Sequence, residues 1–262
     1  MQYHFDGFHN CCFNERIYMG LVPQSKTQVI SILEDMRAKP MNPSCHGFEL
    51  RFAGENIGQA AARGLQMLDK AKNAPIAVMS VILAANRKYN EQVKDQIDAV
   101  KKSPVYRSMT FDQLHEMMRK MDFVKFGTVW THKDQKKYNT LKAIVKALLK
   151  FRKGHPDLSD LALMRKWAKQ ADLANRKQDV LGMIPNVGIA TFQHMRMTFG
   201  VDTVKPDQRV KEVLNREFGL KLTDTRAIQA VQEIAALAGQ KTYEIDQIFV
   251  KYGSGGYCSL ST

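Results

Sequence analysis

The stretch "MIPNVGIATF", residues 183–192, decides how this chain is read. Met183 and Ile184 run into Pro185-Asn186-Val187-Gly188, and a helix-like pattern resumes at Ile189. A buried helix gains nothing from a Pro and a Gly three residues apart, because Pro removes a backbone donor and Gly loses more backbone entropy on ordering. The segment therefore reads as a tight turn between two helices, "ANRKQDVLGM" before it and "IATFQHMRMTF" after it. Such a turn leaves backbone N–H groups unpaired at the start of the second helix, where the helix dipole adds partial positive charge; that geometry suits a phosphate. A purely structural corner between two helices carries the same signature.

Outward from the turn, helical periodicity dominates. "TQVISILEDMRAK", "IGQAAARGLQMLDKAK", "PIAVMSVILAANRKY", "NTLKAIVKALLKFRK" and "AIQAVQEIAALAG" repeat apolar residues at three- and four-residue spacings, which predicts a mostly α fold. Helix starts are marked at Asn73-Ala-Pro75, at the capping-box pattern Thr110-Phe-Asp-Gln113 and at the acidic first turn Asp157-Leu-Ser-Asp160. Residues 1–50 differ, being rich in Gly, Phe, His, Cys and Pro, with "ERIYMGLV" and "GFELRF" as pieces that could pair as strands. Residues 1–72 are read as an irregular or β N-terminal extension packed on a core of residues 73–258, and the Gly/Ser-rich tail "KYGSGGYCSLST" as irregular.

Charge narrows the partners. The 262 residues hold 39 Lys+Arg against 26 Asp+Glu, a formal charge of +13 that favours a polyanion. Between Glu116 and Lys153 there are eleven Lys/Arg and three acids, so this span carries eight of the thirteen. Lys142, Lys146 and Lys150 recur every four residues on a helix whose apolar face is Leu141, Ile144, Val145 and Leu148. They make either a phosphate-binding stripe or a solvated face. No apolar run reaches the length of a membrane span and "MQYHFDGFHNCC" lacks a signal-peptide core, so a cytoplasmic protein without membrane attachment is expected. Cys11, Cys12, Cys45 and Cys258 follow no CxxC pattern; reduced structural thiols are expected in preference to a zinc site built on Cys11-Cys12 and Cys45-His46.

Asp207 lies nineteen residues after Gly188, in "KPDQRVKEVLNREFG". Pro206-Asp207 suits the start of a helix with Val210, Val213 and Leu214 on its apolar face, so Asp207 is either an N-cap or a carboxylate offered to a pocket. Turn and carboxylate together resemble the helix-hairpin-helix DNA glycosylase superfamily, which includes endonuclease III and the bacterial alkyladenine glycosylases. The family pattern Leu-Pro-Gly-Val-Gly, about twenty residues, then Val-Asp-x-x-Val-x-Arg-Val reads here as Ile184-Pro185-Asn186-Val187-Gly188 and Asp207-Gln-Arg-Val210-Lys-Glu-Val213. Upstream, "APIAVMSVILAANRKY" looks like the family helix that offers a residue to the DNA gap, with Asn86 in that place; downstream, "TYEIDQIFVKYGSGGYC" looks like the closing helix. The likeness covers residues 73–258. It departs at Asn186, which replaces the first hairpin Gly but tolerates positive φ. It departs again at Ile189-Ala190, where lyase-competent members carry a Schiff-base Lys. The four-cysteine iron–sulfur loop is missing, so no cluster is expected.

The resemblance implies two helical subdomains with a cleft between them, the hairpin spanning residues 182–190. It also implies a monomeric, monofunctional enzyme that flips a modified base out of double-stranded DNA and hydrolyses its N-glycosidic bond, in base excision repair or on phage-modified DNA. Asp207 would be the catalytic carboxylate. Asn86, Asn186, Val187, Gly188, Ile189, Ala190, Lys142 and Lys146 would meet DNA. The carbonyls of Gly182, Ile184 and Val187 would hold a Na+ or K+ ion. Trp130, Tyr138 and Phe192 are candidates to stack on the extruded base, although aromatic residues at helical spacing also build cores. His132 and His194 fit structural roles as well, and Lys205 and Lys211, flanking Asp207, are amines that could replace the missing Lys. The alternative function is a non-catalytic helix-hairpin-helix DNA-binding module, with Asp207 as a helix cap; an enzyme of the nucleotide pool or of tRNA bases is a third.

Overall fold

The computed structural model describes residues 20–41, 54–66, 70–85 and 93–253. Among these the protein is mostly α. Its helices are α1 (Lys26–Ala38), α2 (Ile57–Leu65), α3 (Ala74–Ala84), α4 (Lys94–Lys102), α5 (Pro104–Arg107), α6 (Phe111–Lys120), α7 (Phe123–Val129), α8 (Gln135–Arg152), α9 (Asp160–Gln170), α10 (Ile189–Thr198), α11 (Gln208–Phe218), α12 (Asp224–Ala238) and α13 (Thr242–Gly253). The only β pairing among the described residues is an isolated bridge between Pro40 and Asn56. The strand candidate "GFELRF" and most of "ERIYMGLV" fall outside the described residues, as do Asn86 and all four cysteines. No helix among the described residues is long and apolar enough to cross a membrane.

Local chemistry fixes the helix starts. Ser25 with Gln28, Asn56 with Gln59 and Thr110 with Gln113 form reciprocal capping boxes, satisfying amides that the first turn would leave orphaned. Asn73 caps α3, with Pro75 in its first turn. Asp160, in the first turn of α9, accepts from the Phe111 amide and pairs with Arg152, tying α6, α8 and α9 together. Gly219 and Gly239 end α11 and α12 in the left-handed region at φ +68° and +67°.

Packing sorts the helices into two apolar clusters. One is built from residues between Ala74 and Phe199, including Met79, Phe126, Trp130, Leu141, Leu148, Trp167 and Phe192. The other joins Val29, Leu33, Met36, Ile57 and Ala61 of α1 and α2 to Val210, Leu214, Val231, Ile234, Ile248 and Phe249 of α11–α13. Residues 1–72, read from sequence as an irregular or β extension, thus hold two helices, α1 and α2, which pack on α11–α13 of residues 73–258. The N-terminal helices share a core with the C-terminal ones, an association across some 150 residues that local periodicity does not encode. Val201 packs on the first cluster and Val204 belongs to the second, so the chain crosses between cores over residues 201–204, immediately before Asp207.

Candidate functional site

The turn at 184–188 is formed as the sequence suggests, with Val187 N donating to Ile184 O at 3.0 Å. Asn186 adopts φ +69°, the left-handed conformation that Asn tolerates where most side chains do not. Its Nδ2 donates to Thr140 Oγ1 at 3.2 Å, docking the turn on α8. Leu181, Ile184 and Val187 point inward, while Met183, Pro185, Asn186 and Gly188 are exposed. Gly188 is the N-cap of α10 in an extended conformation, and among the described residues no side-chain cap hydrogen bond is made at that helix start. A Cβ on Gly188 would meet nothing within 4 Å, so the backbone here is open to approach.

The helix expected over "ANRKQDVLGM" is absent. Residues 174–183 form a succession of turns, because side chains take over the backbone partners of a helix. Asp179 Oδ1 accepts from the amides of Leu181 and Gly182, both at 2.8 Å, and its carboxylate also accepts from Trp167 Nε1. Arg176 Nη1 donates to Gly182 O at 2.8 Å and to Val187 O at 2.7 Å. These two carbonyls, with Ile184 O, are the three expected to hold a monovalent cation. All three already accept a hydrogen bond from within the chain, and a guanidinium cation lies against two of them. The residues present do not fit a metal ion.

Asp207 caps α11, its Oδ1 accepting from Arg209 N at 3.1 Å and Val210 N at 3.3 Å. Its other oxygen lies 3.5 Å from Lys205 Nζ, and the side chain is 26% exposed. It is neither sealed in a core nor displayed on a fully exposed surface. The backbone before it is a tight bend, Asp207 N donating to Lys205 O at 2.7 Å. Lys205 N in turn donates to Asp246 Oδ1 at 3.0 Å. Asp246, buried on α13, thus buttresses the bend that presents Asp207; an acid inside the apolar run "EIDQIF" was the sequence signal for it. Lys211 is drawn away to Asp224 at 2.8 Å, which leaves Lys205 as the amine beside Asp207. The hairpin reaches the same region: Ile189, at the start of α10, packs on the cluster to which α11 belongs.

The three aromatic candidates, Trp130, Tyr138 and Phe192, are buried in the core. Trp130 is fully buried, packs edge-on against Phe126 and donates to His132 O at 2.8 Å. Tyr138 sits between Phe123 and Phe126 with its hydroxyl, a single donor, 3.2 Å from both Met118 O and Met121 O. Phe192 is fully buried and edge-on to Trp167. All three have the apolar contacts of core residues, Trp130 and Tyr138 with a polar partner as well, and none is exposed to stack on a base. His132 packs edge-on against Trp130. Lys142 and Lys146 are exposed on α8, but at 100° per residue they lie about 160° and 120° around the helix from Thr140, where the turn docks. Lys136, one turn before Thr140, is the exposed α8 lysine on the hairpin's side.

Two titrating groups near Asp207 have opposed settings. Burial, and then the neighbouring Asp207 carboxylate, push Asp246 up to about 7 from an ordinary 3.8. Burial, and then the Lys205 ammonium, push His194 on α10 down to about 3 from 6.5. The folded state holds the Asp246 proton longer than the unfolded chain, so this group lowers stability as pH rises from 3.8 to 7. The folded state refuses the His194 proton, so that group lowers stability as pH falls from 6.5 to 3. Between pH 4.5 and 6.5 the two slopes oppose each other, each worth on the order of 4 kcal/mol over its full range. His194→Gln should therefore unmask a stability that falls toward neutral pH, and Asp246→Asn one that rises. Urea unfolding at pH 4.5, 5.5, 6.5 and 7.5 checks both, and parallel curves for the two variants would contradict the assignment.

Comparison of the chain with protein-family models, with curated proteins and with solved structures finds no match.

Proposed function

We propose that this protein is a DNA N-glycosylase that extrudes a modified base and hydrolyses its glycosidic bond, leaving an abasic strand intact. The observation that carries the reading is the placement of the cap-held carboxylate of Asp207. It stands just past the crossing between the two cores, in the region reached by α10 from an uncapped, open hairpin. In this reading the protein resembles helix-hairpin-helix enzymes, with turns over residues 174–183 in place of the first helix and α10 as the second, and its two helical subdomains flank a cleft at that crossing. The amides of Gly188, Ile189 and Ala190 hold a phosphate beside the flipped nucleotide, fixing register without reading sequence. Departure of the base builds positive charge on the sugar, and Asp207 stabilises it and orients or deprotonates a water at C1′.

Ala190 offers no amine for a Schiff base. Lys205, 3.5 Å from Asp207, is the amine that borohydride trapping interrogates: no covalent protein–DNA adduct is expected, and an adduct would assign lyase chemistry to this chain.

A non-catalytic DNA-binding module is the second reading. It is favoured by the fact that Asp207 already has a structural job as an N-cap and that the three aromatic candidates are core residues. Both readings require DNA binding that weakens steeply with salt, since each neutralised phosphate releases counterions. Both also require Gly188 to lie under the phosphate. Gly188→Asp creates no clash, and Asp is a better N-cap than Gly by a few tenths of a kcal/mol, about neutral for the fold. The variant should keep its unfolding midpoint yet lose affinity for every duplex sequence alike. Unchanged affinity in anisotropy titrations would remove the hairpin as the anchor.

A further inference from the structure

We infer that Arg176 is the resident cation of the hairpin, so that the turn, and DNA binding through it, needs no monovalent metal ion. The DNA part of this inference rests on the proposed function; the part about the turn does not. Arg176 Nη1 bridges Gly182 O and Val187 O, the carbonyls at the two ends of the reversal. One planar, cationic group thus closes a loop whose carbonyls converge, the task for which a metal ion would otherwise be recruited from solution. A charge-assisted bond to each carbonyl is stronger than a neutral one. A second cation placed against the same oxygens would be repelled by the guanidinium.

The chain is built around this side chain. Gly182 is a glycine because a Cβ there would collide with the Arg176 carbonyl oxygen and Cγ. Asp179, three residues on from Arg176, fixes the amides of Leu181 and Gly182, so the segment carrying the guanidinium is anchored at both ends of its reach. Val187 O, which the guanidinium holds, belongs to the peptide whose N–H is that of Gly188. The fixed charge therefore sits directly behind the first of the amides proposed to grip phosphate. Because it is part of the chain, no mass-action requirement links affinity to the concentration or identity of K+ or Na+.

The test uses the full chain and two readouts, the thermal unfolding midpoint and the anisotropy Kd for an unmodified duplex. Each is measured in KCl, NaCl, LiCl and tetramethylammonium chloride at one ionic strength. Wild type should show no stabilisation specific to K+ or Na+, and a Kd constant within about twofold, since counterion release depends on valence and ionic strength. A saturable rise in midpoint with K+ or Na+ over tetramethylammonium, or a gain in affinity of about tenfold, the mark of a recruited ion, would overturn the inference. Arg176→Met should lower the midpoint in tetramethylammonium chloride; an unchanged midpoint would overturn the inference equally. If the Met variant does not fold, Arg176→Lys, which keeps the charge but not the fork, should still melt below wild type. A wild type that fails to bind DNA refutes the proposed function, while the midpoints in the four salts still decide whether Arg176 replaces a metal.

Discussion

Asp207→Asn is expected to slow base release by about 10²- to 10³-fold, the loss seen when an electrostatic stabiliser of a charged transition state is removed, while the fold and DNA affinity stay nearly as they are. The separation follows from what the carboxylate does in each state. As an N-cap it accepts from Arg209 N and Val210 N, and Asn caps a helix about as well as Asp. The pair lost with Lys205 is a partly exposed one at 3.5 Å, a class of interaction worth little to stability. Only a developing positive charge distinguishes the carboxylate from the amide. Single-turnover release of the base, run beside a thermal melt of the same preparation, measures both; full excision by the Asn variant would show that another group carries the reaction.

Phe192→Ala should behave in the opposite way, costing about 3–5 kcal/mol of stability because a buried ring is replaced by a cavity. Phe192 lies in the core that joins α3, α9 and α10, edge-on to Trp167 with ring centroids 5.6 Å apart. Its removal should lower the unfolding midpoint strongly and leave the affinity of the remaining folded protein for undamaged DNA unchanged. An unaltered midpoint with weakened binding of a duplex carrying a modified base would return this ring to the base pocket.

The sequence was most informative where structure depends on neighbours in the chain. Thr110 with Gln113, Asn73 with Pro75 and the first turn at Asp160 mark helix starts that the fold uses, because a cap is a local exchange of hydrogen bonds. Asn186 at positive φ belongs to the same class: a reversal before Gly188 leaves few residue types that fit. What the periodicity could not give was anything decided by partners far along the chain. Residues 174–183 carry a helical pattern yet form turns, because Asp179 and Arg176 bond to backbone groups and Trp167 adds a third partner. Trp130, Tyr138 and Phe192 have the same composition whether they face a core or a cleft, and only packing tells them apart. The pairing of α1 and α2 with α12 and α13 is of this kind too, and so is Asp246, whose bond to Lys205 N spans 41 residues to support the bend before Asp207.

Excision of a base with the strand left whole is the activity proposed for this chain. Its most direct measurement is incubation with a panel of duplexes, each carrying one modified base, followed by abasic-site detection before and after alkali. At least one duplex should accumulate abasic sites whose strand breaks only after alkali treatment, and Asp207→Asn should slow this accumulation on the same duplex by about 10²- to 10³-fold. Salt-dependent binding to every duplex with no abasic site on any of them would contradict it, and would make the protein a DNA-binding module in which Asp207 is only a helix cap.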